Sequence, residues 1–387
     1  MRPDTRCRTR LVVPLEMADM KGGMLQSVEL LLRFLSPEIE KVVLAPSGSQ
    51  VSSRMEAAGA RVIRSSRPTW TVDRDSPLRT LATFRTFRRE MRELLKPGSV
   101  LLTNNIAVEL LCGLGNPFPR TPRIFVNRGN AYGGLSARAL RSSLASSRLC
   151  VATTSYQEDT LTGTLAVPMS NIRVIPNGVD LTELRSAAKG PKPSWYEAGK
   201  THIATLGYPS ELKNQELLIR AIGVLRPRYP NVVGVIAGSP GCADDETYYA
   251  KLKSLTAELD LEPAIRFVPF TSNKQELFAG IDILASTSLR EGFGRSIVEA
   301  MAAGKPVVAK RAGGPETIIE EGRNGLLVTG TDPDVFAGAL LKLLERPDLV
   351  RSLTQEAAGD CTRLYGAESV ARKFDELIRE VSSGGMK

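Results

Sequence analysis

Short apolar runs alternate with helical patterns along almost the whole chain. In the first part, residues 10–15, 41–45, 60–63, 100–103, 123–126, 149–152 and 171–175 read as strands. Each is a brief run rich in Val, Ile and Leu bounded by polar or turn residues. Met24 to Leu35 reads as a helix after the Gly22-Gly23 turn. Ser76-Pro77 reads as an N-cap followed by proline at the first helical position, opening a helix that runs to Leu95 and stops at Lys96-Pro97-Gly98. That helix places Leu78, Leu81, Phe84, Phe87, Met91 and Leu94 on one face. Arg79, Arg85, Arg88, Arg89 and Arg92 lie elsewhere, a packed helix with a solvated basic side. The polar stretch 189–194 reads as an interdomain linker. A second alternating set follows, with strands at 203–206, 232–236, 265–268, 281–284, 306–309 and 325–328. Strands alternating with helices imply parallel sheets covered on both faces. The expected fold class is therefore α/β, with two tandem doubly wound Rossmann-like domains. Residues 1–182 form the first and 183–365 the second. Ligands bind such sheets beyond the carboxyl ends of the strands, and the cleft between the two domains is the default site.

Composition narrows the function classes. Of the 387 residues 42% are hydrophobic, yet no apolar run reaches bilayer-spanning length. The first apolar segment is too short for a signal-peptide core and is soon interrupted by Glu16 and Asp19, so a cytoplasmic location is expected. The five cysteines are scattered without C-x-x-C spacing, which points away from zinc and from a disulfide framework. A net charge of +9 raises nucleic acid as a partner, but the basic residues are spread along the chain without an aromatic-basic RNA motif. Nucleic-acid binding is disfavoured, membrane association is not expected, and a monomer or homodimer is.

The most informative segment is Glu291-Gly-Phe-Gly-Arg-Ser-Ile-Val-Glu299, followed by Ala-Met-Ala-Ala-Gly. Arg295 to Ala303 reads as a short helix with Ile297, Val298 and Met301 available for packing. Glu291 then precedes the helix, and Glu299 sits one turn inside it, roughly 6 Å along the axis. A helix start offers unpaired N–H groups and partial positive charge to a diphosphate. Gly292 and Gly294 let the backbone approach a ligand closely. Carboxylates on either side can accept hydrogen bonds from hydroxyls, one from a sugar and the other from a ribose. Asp73-Arg-Asp75 and Asp332-Pro-Asp334 imitate a D-x-D metal motif, but the first lies in a loop and Asp332 reads as a helix cap. No Walker loop or full dinucleotide fingerprint occurs. The single histidine, His202, reads as a residue at the start of a strand with no chemistry.

The block from Glu291 through Glu299-Ala-Met-Ala-Ala-Gly-Lys-Pro-Val-Val308 resembles the E-x7-E signature of retaining glycosyltransferases of family 4, which have the GT-B fold. Gly313-Gly-Pro-Glu316 and Gly322 to Val328 continue the likeness, Val174 to Asp180 is similar to the family's domain-junction motif, and Gly207 to Gln215 to its diphosphate-binding loop. The resemblance implies that Glu291 holds donor-sugar hydroxyls, assisted by the N–H groups of Phe293 and Gly294, and that Glu299 binds the ribose. It implies that Lys213 neutralises the diphosphate, with Glu291 and Lys213 the catalytic pair. Backbone near Phe267 to Phe270 would meet the base. Gly22 and Gly23 would close over the diphosphate or shape the acceptor pocket, and a last helix within 366–387 would cross back onto the first domain. Two departures stand out: Tyr208 where the family often has a diphosphate-binding arginine, with Arg295 as the conjectured replacement, and no histidine in Phe125-Val-Asn127-Arg128-Gly129.

The expected activity is transfer of glucose or N-acetylglucosamine from a UDP-sugar, a substrate rather than a cofactor, without a metal. The expected acceptor is a small molecule met by Glu16, Asp19, Asn127 and Arg128. A likeness to actinobacterial aminoglycoside-pathway transferases implies an aminocyclitol such as 2-deoxystreptamine, and hence antibiotic biosynthesis. Three alternatives stay open: a transferase acting on a lipid or polysaccharide at a membrane surface, a UDP-sugar epimerase of the same architecture, and a non-catalytic nucleotide-sugar-binding subunit.

Overall fold

The computed structural model describes residues 9–16, 23–47, 51–70, 77–128, 134–187 and 190–383. Cys7, Asp19, Gly22, Asp73, Asp75, Ser76, Gly129 and Lys189 lie outside the described residues. The chain divides into two compact units, Met1–Gly178 with Ala367–Lys387, and Val179–Gly366.

The first unit is a seven-stranded sheet ordered β3-β2-β1-β4-β5-β6-β7, every pair parallel. Its strands are β1 Arg10–Pro14, β2 Glu40–Ala45, β3 Arg61–Arg64, β4 Ser99–Thr103, β5 Arg123–Asn127, β6 Leu149–Ala152 and β7 Ile172–Val174. Every residue of β1, β4 and β5 is buried, because helices cover both faces and leave no solvent side for polar alternation. On one face, Leu11, Val13, Leu102 and Val126 pack under the Gly23–Phe34 helix and the C-terminal Ala367–Ser382 helix. On the other, Val12, Val42 and Leu101 pack with Trp70, Phe87 and Met91.

The Pro77–Leu94 helix differs from its sequence pattern. Phe87, Met91 and Thr83 are buried, whereas Leu81 is 46% exposed. Leu81 lies two positions before Thr83, about 200° round the helix, and Thr83 occupies the inward position, accepting a hydrogen bond from Arg67. Arg88 also leaves the solvated side: it lies 5.2 Å from the Phe84 ring centroid and donates to the carbonyls of Leu111 and Leu114.

The second unit is a six-stranded parallel sheet ordered β10-β9-β8-β11-β12-β13. The strands are β8 Thr201–Leu206, β9 Val232–Ala237, β10 Ile265–Val268, β11 Ile283–Ser286, β12 Val307–Lys310 and β13 Leu326–Val328. β11 begins two residues later than its apolar run, because Ile281 closes the preceding helix as its C-cap. In both sheets the order reverses beside the first strand, between β1 and β4 and between β8 and β11, the position where ligands bind doubly wound sheets. The stretch read as a linker packs on this unit: Lys192 Nζ donates to the Ala279 carbonyl at 2.6 Å and lies 4.3 Å from the Tyr196 ring centroid.

His202 is the second residue of the interior strand β8 and is fully buried. Its Nε2 accepts from the Glu197 backbone N–H, and its ring packs against Trp195 and Tyr196. It organises the entry to the strand. Asp332 caps the Pro333–Glu345 helix by accepting from the Asp334 N–H at 2.9 Å.

Candidate active site

The reversal between β8 and β11 gathers most of the candidate donor-site residues of the second unit. The loop after β8 opens at Gly207, whose φ of +137° suits glycine. A Cβ on Gly238, just past β9, would lie 2.0 Å from the Gly207 oxygen, so the two loops touch through bare backbone. The Gly207 loop is then pinned to the end of β11. Thr287 Oγ1 donates to the Lys213 carbonyl at 2.8 Å, and the Leu289 N–H donates to the Leu212 carbonyl at 2.8 Å. This brings Lys213 Nζ within 2.6 Å of Glu291 Oε2. Lys213 precedes the Glu216–Leu225 helix, where a cation opposes the helix dipole; the Glu291 carboxylate compensates.

Glu291 itself is held by the loop after β12. Its N–H donates to the Ala312 carbonyl at 2.8 Å, and its carbonyl accepts from the Gly314 N–H at 2.7 Å. A Cβ on Gly314 would lie 2.7 Å from the Gly292 carbonyl, so only glycine allows this approach. Phe293 is buried and meets Tyr365 edge-on with ring centroids 6.0 Å apart, which anchors the turn between the two acids. Gly294 is the N-cap of the Arg295–Ala302 helix at φ +96° and provides no side-chain cap. The first-turn N–H groups therefore suit an anion. Gly313 N–H donates to Glu316 Oε1 at 3.1 Å, giving Glu316 a role in shaping that loop.

Glu299 is 4% exposed. Its Oε1 accepts from Arg295 Nε and its Oε2 from Lys274 Nζ, both at 2.9 Å. Burial pushes its carboxyl upward, but the two cations outweigh that and hold it below the ordinary value of 4.5. Lys274 was not among the residues singled out from sequence, although it opens the Lys274–Gly280 helix, where its charge opposes the dipole as that of Lys213 does. Arg295 donates to Glu299 through Nε. Phe270 is 47% exposed, and its N–H donates to Ser239 Oγ at 2.9 Å. Lys274, Glu299 and Arg295 form one charged group and Lys213 and Glu291 another, on segments that follow β8, β10 and β11.

In the first unit, Glu16 and Asn105 flank the reversal between β1 and β4. Asn105 caps the Ile106–Gly113 helix by accepting from the Ala107 N–H at 2.7 Å, and its Nδ2 donates to Glu16 Oε2. Burial pushes the Glu16 carboxyl up, and the Asn105 bond opposes this. Asn127 ends β5 and is fully buried. Arg128, next to it, donates to Asn177 Oδ1. Those two line one pocket with Ser27, Thr153, Val370 and Phe374. Gly23 is exposed at the start of its helix, where its carbonyl accepts from Ser27 Oγ. Gly22 and Asp19 lie outside the described residues. Among the described residues, no group of three or more His, Cys, Asp or Glu could hold a metal ion, and no helix is long and apolar enough to cross a membrane.

Comparison with known proteins covers both halves. Residues 21–183 match the family described as Glycosyltransferase Family 4, and residues 196–360 match Glycosyl transferases group 1. A D-inositol 3-phosphate glycosyltransferase of Corynebacterium urealyticum is 33% identical over 183 residues, covering 46% of this chain and 43% of the relative. One of the same name from Streptomyces coelicolor is 31% identical over 251 residues, covering 59% and 54%. The chain thus spans about half the length of these curated relatives. The structure of Anabaena Alr3699/HepE, solved in complex with UDP and glucose, superposes with a TM-score of 0.83 at 19% identity, covering 96% of this chain and 99% of that one. Two consecutive family matches, the paired doubly wound sheets and the acid-flanked helix start agree, and the chain belongs to the family 4 glycosyltransferases, with the GT-B fold.

Proposed function

We propose that the protein is a retaining hexosyltransferase that works without a metal ion, taking a UDP-sugar and delivering glucose or N-acetylglucosamine to a hydroxyl of a small cyclitol. The observation that carries this reading is the convergence of Lys213, Glu291 and the uncapped Arg295–Ala302 helix start at the sheet reversal. A departing diphosphate needs charge stabilisation where it forms, and a fixed ammonium with oriented N–H groups provides it. Glu291 accepts hydrogen bonds from the donor-sugar hydroxyls once Lys213 turns to the phosphates. The acceptor oxygen bonds to the anomeric carbon on the face the diphosphate leaves. The carbon–oxygen bond to the diphosphate breaks, and the acceptor proton passes to the departing phosphate oxygen. No histidine base is required, in keeping with His202 being enclosed by Trp195 and Tyr196. The UDP and glucose bound to the Anabaena protein support a UDP-sugar donor. The inositol phosphate named for the curated relatives supports a cyclitol acceptor. Within that class, the half-buried Glu16 carboxylate fits an aminocyclitol such as 2-deoxystreptamine, and thus a role in antibiotic assembly.

A panel of UDP, GDP, ADP and dTDP sugars, crossed with aminocyclitol, inositol phosphate and lipid acceptors, tests this by mass spectrometry. Product from a UDP-sugar and a cyclitol is expected; a lipid product alone would overturn the acceptor assignment. Glu291→Gln should lower turnover roughly tenfold or more, the worth of a charge-assisted hydrogen bond. Unchanged kcat and KM in that variant would remove Glu291 from the site. One observation favours a second reading, transfer at a membrane surface: Leu81 is exposed on a helix that also exposes Arg85, Arg89 and Arg92. Co-sedimentation with vesicles with and without anionic lipid separates the two.

A further inference from the structure

We propose that Lys274 sets the preference of the donor site for ribose over deoxyribose, by locking Glu299 as a two-oxygen acceptor. The inference rests on the reading of Glu299 as the ribose-binding acid. A glutamate held only by Arg295, four residues earlier on its own helix, would be tied through one oxygen and free to turn about its last torsion. Lys274 comes from a different element and holds the other oxygen at 2.9 Å. Each oxygen then carries one charged donor and keeps a second lone-pair direction for a ligand hydroxyl. The three side chains are only 5%, 15% and 16% exposed for Glu299, Arg295 and Lys274, so the carboxylate plane is fixed before any ligand arrives. Among the described residues, the Lys274 ammonium makes a single hydrogen bond, to Glu299. A mobile acid can re-aim at whichever hydroxyl a ligand offers. A locked one rewards two neighbouring hydroxyls and is left unmatched by a sugar lacking one. The donors this site favours are therefore ribonucleotide sugars, and deoxythymidine-linked sugars are poor substrates.

The test is calorimetric binding of UDP and of 2′-deoxy-UDP to the full chain, in the unaltered protein and in Lys274→Met, Lys274→Arg and Glu299→Gln. The unaltered protein should bind UDP roughly 10- to 100-fold more tightly than the deoxy analogue. In Lys274→Met that ratio should fall to about threefold or less, while Lys274→Arg, which keeps a donor on the second oxygen, retains most of it. A ratio in Lys274→Met equal to that of the unaltered protein overturns the inference when Glu299→Gln has lost the ratio. Loss of all UDP binding in both Lys274 variants overturns it too, since the residue would then support the fold. If Glu299→Gln itself keeps the full ratio, the acid does not meet the ribose, and the underlying site reading falls instead.

Discussion

Two buried glutamates, one in each unit, show how the same charge can serve opposite ends. Glu109 is fully buried in the first unit. Its carboxylate accepts from Arg123 Nε at 3.0 Å, from Ser143 at 2.8 Å, from Ser147 at 3.3 Å and from Thr103. Arg123 in turn donates to Ser143 and Cys112 carbonyls and to Ser146. Four donors from three further elements and a loop serine thus converge on one carboxylate, and the pair joins β4, β5 and the neighbouring helices. Glu299 is nearly as buried but, among the described residues, receives two cations and no other side-chain donor. It lies on the helix whose start, at Gly294, has no side-chain cap. The difference teaches that burial and ion pairing alone do not mark a site. Unfilled hydrogen-bonding capacity at a sheet reversal does.

That contrast can be broken by substitution. The largest effect is expected from Arg123→Met, which strands the Glu109 carboxylate and should destabilise the fold by about 3–5 kcal/mol in urea unfolding. A loss below about 1 kcal/mol would mean the first pair is not the scaffold described. Next, Glu299→Ala should weaken UDP binding roughly 10- to 100-fold by calorimetry, while lowering stability less than Arg123→Met does. The reverse ranking would exchange the two roles. Gly314→Ala puts a methyl against the Gly292 backbone and should cost about 1–3 kcal/mol through the shift it forces, together with weaker UDP binding. Wild-type affinity and stability would show that the two glycine loops move apart freely.

The smallest effect is on acid stability. The Glu299 carboxyl is held below its ordinary 4.5 in the folded chain. Its contribution is therefore complete above that value and lost as the pH falls through the depressed one. Glu16, which burial pushes upward, acts with the opposite sign and favours the folded state as it protonates. Unfolding followed between about pH 3 and 6 should show a steeper acid loss in Glu16→Gln than in Glu299→Gln.

Much of the architecture is readable because it depends on local pattern. Runs such as Leu-Val-Val in β1 and Val-Val-Gly-Val-Ile in β9 are apolar on both faces, which only a covered parallel sheet requires. The acid pair is readable for a similar reason, since spacing, glycines and the helix start all lie within one continuous segment. Lys274 lies 25 residues from Glu299, and nothing in the intervening sequence ties them. The clue it carries, a cation at a helix start, is shared by ordinary surface lysines. Leu81 is exposed and Thr83 inward because a hydroxyl with a partner from Arg67 can take an inward position that hydrophobicity would give to leucine. That β8, with His202 near its start, lies in the interior of its sheet follows from strand order, which is not written in the strand itself.

By itself, then, the order of apolar and polar residues determined two parallel α/β sheets and an acid-flanked helix start, because these follow from periodicity and from contacts within a few residues. Tertiary structure alone decided which cation met which acid and which buried charge was left with capacity to spare. Those pairings join loops that follow different strands, and their geometry exists only once the sheet order has brought the strand ends side by side.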